Sequence, residues 1–400
     1  MWESQVNVNA VCEIRGKSTV YLGAGAIRKI YDICAALKKT KQISRVIVVT
    51  GKNSYLKSGA WTHVTRAFEQ YGIDFTLYSE ITPNPTVDQV DEATDLARLY
   101  GAQAVVAIGG GSPIDAAKCV AVLIEYPIRN ARDLFENNFI PCKAVPLVAV
   151  NLTHGTGTEA DRFAVVSIPE KDAKPVLACD CIYPLYSIDD PALMTSLPED
   201  QTSYVSIDAL NHAIEAATTV TATPFSILLA RETVRLVAQY LPVALRSPQD
   251  LTARYYLLYA SLIAGISFDN GLLHYTHALE HPLSAVKPEL AHGLGLAIIV
   301  PSVVKQIYPS SCKILADILS PILCGLKGEP GEADIVYEGL KNWLFEMGVK
   351  PGLSSIGFAL TDIEKLTNLA FNTPSLKSLL SLAPVEATHS SVSKIYMDAF

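Results

Sequence analysis

Through the first 190 residues, short β-branched and aliphatic runs alternate with stretches of helical apolar spacing, the pattern of strands joined by crossover helices in a parallel sheet. Strands are predicted at 45–50 (Arg-Val-Ile-Val-Val-Thr), 74–78, 104–108 (Ala-Val-Val-Ala-Ile) and 145–150. Between the second and third, Val87, Val90, Ala93, Leu96 and Ala97 recur at helical spacing, so a helix is predicted from Val87 to Tyr100 after the start signal Asn84-Pro85-Thr86. From about Asp190 the strand-like runs nearly vanish. Helical periodicity then dominates through Asp208–Ala217, Ser226–Tyr240, Thr252–Phe268 and Leu272–Leu283. The predicted fold is an α/β, Rossmann-like nucleotide-binding domain over residues 1–190, followed by an all-helical domain over 191–400. The break Gly325 to Gly331 reads as an internal loop, and no repeat or low-complexity tract is visible.

Composition narrows the partners. Half of the 400 residues are apolar, 18% are charged, and the formal net charge is −8. That is enough apolar material for a large core. With no Lys/Arg cluster, this acidic chain is a poor match for a phosphate backbone, and no nucleic-acid partner is expected. No run approaches the ~20 apolar residues that span a bilayer, so no membrane partner is expected. The start Met1-Trp2-Glu3-Ser4 lacks a basic and then apolar leader, so a cytoplasmic location is expected. The eight cysteines lie in segments that read as core and are expected to be buried free thiols.

Two regions carry candidate chemistry. Strand 104–108 runs into Gly109-Gly110-Gly111-Ser112-Pro113, with a helix predicted to start near Pro113. The glycines let backbone approach a phosphate, and a helix N-terminus points unpaired N–H groups at it. The spacing is neither that of a P-loop nor G-x-G-x-x-G. Thr153-His154-Gly155-Thr156-Gly157-Thr158-Glu159 follows strand 145–150, so two loops at one sheet edge are expected to close over one cofactor. Gly23-Ala24-Gly25-Ala26-Ile27-Arg28 has Arg28 where a third glycine belongs and is read as an ordinary turn.

The second region is a histidine cluster. Asp208 and His212 are one helical turn apart, as are His277 and His281, and His274 and His292 lie in the same segment. Three imidazoles and a carboxylate suit Fe²⁺ or Zn²⁺ better than Mg²⁺ or Ca²⁺. Glu280 before His281 does not complete the metalloprotease motif His-Glu-x-x-His.

With both regions in hand, the chain resembles the iron-containing (group III) alcohol dehydrogenase family over almost its full length. The resemblance is carried by Gly109–Lys118, Gly155–Glu159, Asp208–Glu215 and His277 through Gly293. It implies that Asp208, His212, His277 and His292 ligate the metal, and that His281 is a catalytic non-ligand histidine beside substrate and nicotinamide. It also implies that Gly110, Gly111 and Ser112 contact the pyrophosphate, Thr153 and Thr156 the diphosphate and ribose, and Lys174 the ribose. The chain departs from the usual pattern in four places. Asn151-Leu152-Thr153-His154 replaces a Pro-Thr-Thr-Ala run, Ser206 a glycine and Ile227 an aspartate, and the loop from His281 to His292 is one residue longer. These changes bear on substrate identity more than on reaction type.

The activity implied is metal-dependent, NAD(P)-linked interconversion of small primary alcohols and aldehydes, with Fe²⁺ as the expected metal and Zn²⁺ or another divalent ion as the alternative. His281 would relay the proton. A homo-oligomer is expected. The rivals are a zinc-dependent glycerol or polyol dehydrogenase, a dehydroquinate-synthase-like enzyme and a non-catalytic assembly subunit. Strand 45–50 bears on the choice of cofactor. In dinucleotide folds an acidic residue after such a strand binds the adenosine ribose hydroxyls and repels a 2′-phosphate. Here Gly51 and Lys52 follow, so NADP is expected to be accepted at least as well as NAD.

Overall fold

A computed structural model describes residue 2 and residues 11–136, 138–350 and 352–400. Met1, Glu3 and Ser4, on which the reading of the N-terminus rests, lie outside these. Six parallel strands form the main sheet in the order β1-β8-β5-β4-β2-β3. They are β1 (Thr19–Leu22), β2 (Arg45–Gly51), β3 (Asp74–Ile81), β4 (Ala104–Gly109), β5 (Leu147–Asn151) and β8 (Tyr186–Asp189). A separate antiparallel hairpin pairs β6 (Phe163–Val165) with β7 (Val176–Ala178).

The central strand β4 is buried along its whole length, which explains its unbroken apolar run. Val105 and Ala107 pack with Val90, Ala93 and Val120 on one face. Val106 and Ile108 pack with Ile33, Leu37 and Phe68 on the other. Each large aliphatic side chain removed from water in this way contributes about 1.5–3 kcal/mol. Because β5 lies on one side of β4 while β2 and β3 lie on the other, the crevice for a ligand opens at the carboxyl ends of these strands.

The helix Val87–Tyr100 begins and ends where the spacing predicts. Thr86 and Gln89 form a capping box, and Gly101 closes the helix at φ 71°. Asn84 has a different task, with its amide donating to the carbonyls of Pro288 and Leu290 in the helical half. The second half is helical from Glu199 onward. Its central helix, Glu199–Thr218, packs against Pro224–Arg246, Leu251–Gly271 and His292–Leu319.

Four strands escape the sequence pattern, β1 and β8 in the main sheet and β6 and β7 in the hairpin. β1 is short and half-exposed at the sheet edge, while β8 buries Ser187 and Asp189 among its apolar residues. The cysteine expectation needs correction. All eight are free, but only Cys34 and Cys119 are buried, while Cys12, Cys142 and Cys324 are exposed. Among the described residues, no single helix is long and apolar enough to cross a membrane.

Candidate active site

Three helices bring the histidine cluster together. Glu199–Thr218 carries Asp208 and His212, Tyr275–Val286 carries His277 and His281, and His292 opens His292–Leu319. Their polar atoms converge on Asp208 Oδ1, which lies 3.5 Å from His212 Nε2, 3.6 Å from His277 Nε2 and 4.0 Å from His292 Nε2. A tetrahedral shell with bonds of ~2.1 Å has ligand atoms roughly 3.4 Å apart, so this spacing suits one divalent ion. Asp208 Oδ1 and His277 Nε2 are buried without a hydrogen-bond partner, a costly arrangement that an ion between them would relieve. Burial alone would raise the Asp208 carboxyl, but the neighbouring imidazoles, His212 foremost, hold it down at about 2. It is therefore ionised at neutral pH, as a cation's partner must be.

Glu215 fixes one imidazole. Its carboxylate accepts from the Nδ1–H of His277 and from the backbone N–H of His274 (3.0 Å) and Thr276 (2.8 Å), so it caps the second ligand helix and aims His277 Nε2 at Asp208. Sequence reasoning missed Glu215. The available signal was its place one turn beyond His212 on the same helix. His274 belongs to the sequence cluster but is not part of the centre. It is hydrogen-bonded to Thr218 Oγ1 at 2.9 Å, and burial lowers it to about 4.

His281 stands beside the cluster, its Nδ1–H donating to the Lys174 carbonyl at 2.9 Å, which leaves Nε2 free. Burial, and then the Lys174 ammonium, hold its pKa well below the usual histidine value. Lys174 lines the same cleft, and its ammonium donates to Asn84 Oδ1 at 2.8 Å and lies 3.5 Å from His292 Nδ1. A contact across 118 positions of chain has no local signal.

At the sheet edge, the helix starts at Gly111, earlier than predicted, with Pro113 still in the first turn, where its missing N–H is not needed. No side chain caps this helix, so its first N–H groups face the cleft. The two loops interlock. A Cβ on Gly110 would lie 2.7 Å from Thr153 Cγ2, and one on Gly111 would lie 2.6 Å from Thr156 Cγ2. At the turn that starts at Gly23, the Ile27 N–H donates to Asp190 Oδ2 at 3.0 Å.

One cleft of about 760 Å³ is lined by every residue singled out as a ligand, proton carrier or cofactor contact, from Gly51 and Lys52 at one strand end to His292. Its apolar wall includes Tyr204, Phe268, Leu272, Leu273 and Leu379, none of them expected from sequence. Leu272 holds φ 70°, ψ 169°, a region nearly confined to glycine, at the bend that carries the chain into the helix of His277.

A parallel sheet with an uncapped helix N-terminus at its carboxyl edge, opposite a helical domain holding a carboxylate–histidine cluster, is the arrangement of a two-domain class of metal- and nucleotide-dependent oxidoreductases. Residues 17–191 match the family model of iron-containing alcohol dehydrogenase, and residues 202–400 match that of the family's C-terminal part. The chain belongs to the iron-containing alcohol dehydrogenase family and is an alcohol/aldehyde oxidoreductase. It is 60% identical over 400 residues to the long-chain primary alcohol dehydrogenase AdhA of Thermoanaerobacter ethanolicus, covering 100% of both chains. It is 29% identical to the NAD-dependent methanol dehydrogenase of Bacillus methanolicus, covering 91% of this chain and 94% of that one. Among solved structures it is similar to the NADH-dependent butanol dehydrogenase A of Thermotoga maritima, with a TM-score of 0.89, 27% identity and 98% coverage of each chain.

Proposed function

We propose that the chain oxidises primary alcohols and reduces the matching aldehydes, with a divalent metal, Fe²⁺ first and Zn²⁺ as the alternative, held by Asp208, His212, His277 and His292. The observation that carries this is the convergence of three imidazole Nε2 atoms on Asp208 Oδ1 in the cleft that also contains both glycine-rich loops. A bound cation would supply a Lewis acid for the substrate oxygen. The N–H groups at Gly111 and Ser112 bind the diphosphate of a nicotinamide dinucleotide, and Thr153 and Thr156 line the same place. His281, kept neutral and oriented by the Lys174 carbonyl, takes up the alcohol proton at Nε2. The apolar wall accommodates an alkyl tail, consistent with the name of the 60% identical relative.

Both nicotinamides are proposed as cofactors. Gly51 leaves no carboxylate on the 2′ side, and Lys52 adds a cation, partly engaged by Glu80 at 3.5 Å. We also propose a cytoplasmic homo-oligomer. The outer edge of β1, which has no strand partner among the described residues, supports assembly, since an unpaired strand edge invites pairing.

Elemental analysis after anaerobic purification, nicotinamide fluorescence and turnover of linear primary alcohols test the reading together. His212→Ala and His292→Ala are expected to lose most metal and nearly all turnover, whereas His281→Ala keeps metal and loses turnover that external buffer base partly restores. Wild-type metal content and activity in His292→Ala would refute the ligand assignment.

A further inference from the structure

Glu280 is a fully buried carboxylate, with 0% exposure, that neither the ligand set nor the proton path uses. Its surroundings are built around it. The Nδ1–H of His292 donates to Oε2, and the Ser284 hydroxyl, one turn further along the same helix, donates to Oε1. The Lys174 ammonium lies 3.7 Å from Oε2 and balances the charge. On the facing helix, a Cβ at position 295 would come within 2.8 Å of Glu280 Cγ and 2.9 Å of its Oε1, so Gly295 leaves the room that the carboxylate fills. A buried charge with fewer partners would cost several kcal/mol.

We propose that Glu280 is a positioning residue for the metal centre. It fixes the tautomer and ring orientation of His292 so that Nε2 faces Asp208, as Glu215 does for His277. The inference rests on the ligand reading above. Its chemistry is that of a carboxylate–histidine–metal relay, in which the outer acceptor sets which nitrogen is free and makes the imidazole a better donor. The two carboxylates act from opposite sides. Glu215 reaches His277 from the first ligand helix, and Glu280 reaches His292 from the second. Glu280, His281 and His292 themselves offer atoms within 4.8 Å of one another, which would resemble a second cation site. The Lys174 ammonium 3.5 Å from His292 Nδ1 already supplies a positive charge there, so the trio serves the first site rather than forming another.

The test uses the full-length enzyme stripped of metal and titrated with Zn²⁺ against a chromogenic chelator, and separately loaded with Co²⁺ for its visible ligand-field bands. Glu280→Gln keeps the size of the side chain but removes its charge and is expected to weaken Zn²⁺ binding about 10- to 100-fold and to shift the Co²⁺ bands. Glu215→Gln should behave alike. A purely structural role for Glu280 would change thermal stability while leaving affinity and spectrum alone. A change of less than tenfold in Glu280→Gln with an unaltered spectrum, while His292→Ala has lost the ion, overturns this proposal and leaves the ligand set standing. Wild-type Zn²⁺ affinity in His292→Ala overturns both. If Glu280→Gln does not fold, Glu280→Asp, with its carboxylate drawn back from Nδ1, is measured against the same threshold.

Discussion

Gly157 and Gly265 meet back to back where the second cofactor loop crosses the helix Leu251–Gly271. A Cβ on Gly265 would lie 2.6 Å from Gly157 O and 2.8 Å from Gly157 Cα. Those are backbone atoms, so no side chain can rotate away. Regaining ordinary contact requires a separation of about 0.8 Å. The loop has little slack to give. Its far end is tied by Thr158 Oγ1, which donates to Asp115 Oδ1 at 2.6 Å and accepts from Lys118 Nζ at 2.7 Å. Its near side is locked by Thr156 against Gly111. Gly265→Ala should therefore cost about 1–3 kcal/mol as overpacking and displace Thr153 and Thr156 by a good fraction of an ångström. A shift of this size at a positioning element costs up to about 100-fold in rate. The expected result is a melting temperature several degrees lower and a nicotinamide dissociation constant raised tenfold or more by fluorescence titration, with metal content unchanged. Wild-type melting and cofactor affinity in Gly265→Ala would show that the loop and helix are not rigidly coupled, and the argument for a preformed cofactor cradle would fail.

Other expectations bear on the cofactor and on acid stability. Gly51→Asp should shift the ratio of kcat/KM values towards NAD by roughly tenfold, about 1.4 kcal/mol. A Cβ there lies 3.1 Å from Ile81 O, a contact relieved by a small shift, so an unchanged ratio in steady-state kinetics would mean that this strand end does not read the 2′ position. His154 is held neutral by burial, then by the Arg254 charge, with its pKa lowered from 6.5 to about 3. The folded state then binds fewer protons, so the stabilising contribution is complete above pH 6.5 and is lost as pH falls towards 3. Relative to His154→Gln, the wild type should lose roughly 2–3 kcal/mol between pH 7 and 4.5 in urea unfolding, and a difference independent of pH would refute the assignment.

The sheet strands, the capped helix after Thr86 and the glycine loops are legible in sequence because each depends on local spacing or on a turn that only certain residues form. The site pairs are legible for the same reason, since Asp208 with His212 and His277 with His281 each lie one helical turn apart. What the sequence hides is pairing at long range. Lys174 reaches His292, Glu215 reaches His277 across 62 positions, and Arg15 N–H donates to Asn270 Oδ1 across 255. None of these has a periodicity, because the tertiary fold alone brings the partners together. The inner strand β8, between β1 and β5, is hidden for a different reason. Its buried Asp189 accepts from Asn151 Nδ2 at 3.0 Å, so a polar residue sits in a core strand with its partner supplied by the neighbouring one.

That last pair changes how the departures from the family pattern are read. From sequence, Asn151, His154, Ser206 and Ile227 bear on substrate choice. In the structure none of them lines the cleft. Asn151 serves Asp189, and Ile227 joins the apolar core of the helical half. His154 and Ser206 belong to one buried unit, with Ser206 Oγ 3.2 Å from His154 Nδ1 and Arg254 Nη1 donating to His154 Nε2 at 3.0 Å. Arg254 also donates to Thr202 Oγ1 at 2.8 Å and to the Pro248 carbonyl at 3.0 Å, so the helical domain grips the loop that carries Thr153. A serine in place of glycine at 206 supplies the hydroxyl beside the histidine at 154, so the two departures are physically one change. They bear on how firmly the cofactor loop is held. The residues that set substrate length must be sought elsewhere, along the wall formed by Tyr204, Phe268, Leu272, Leu273 and Leu379, where the strained backbone at Leu272 holds two leucines against the cleft.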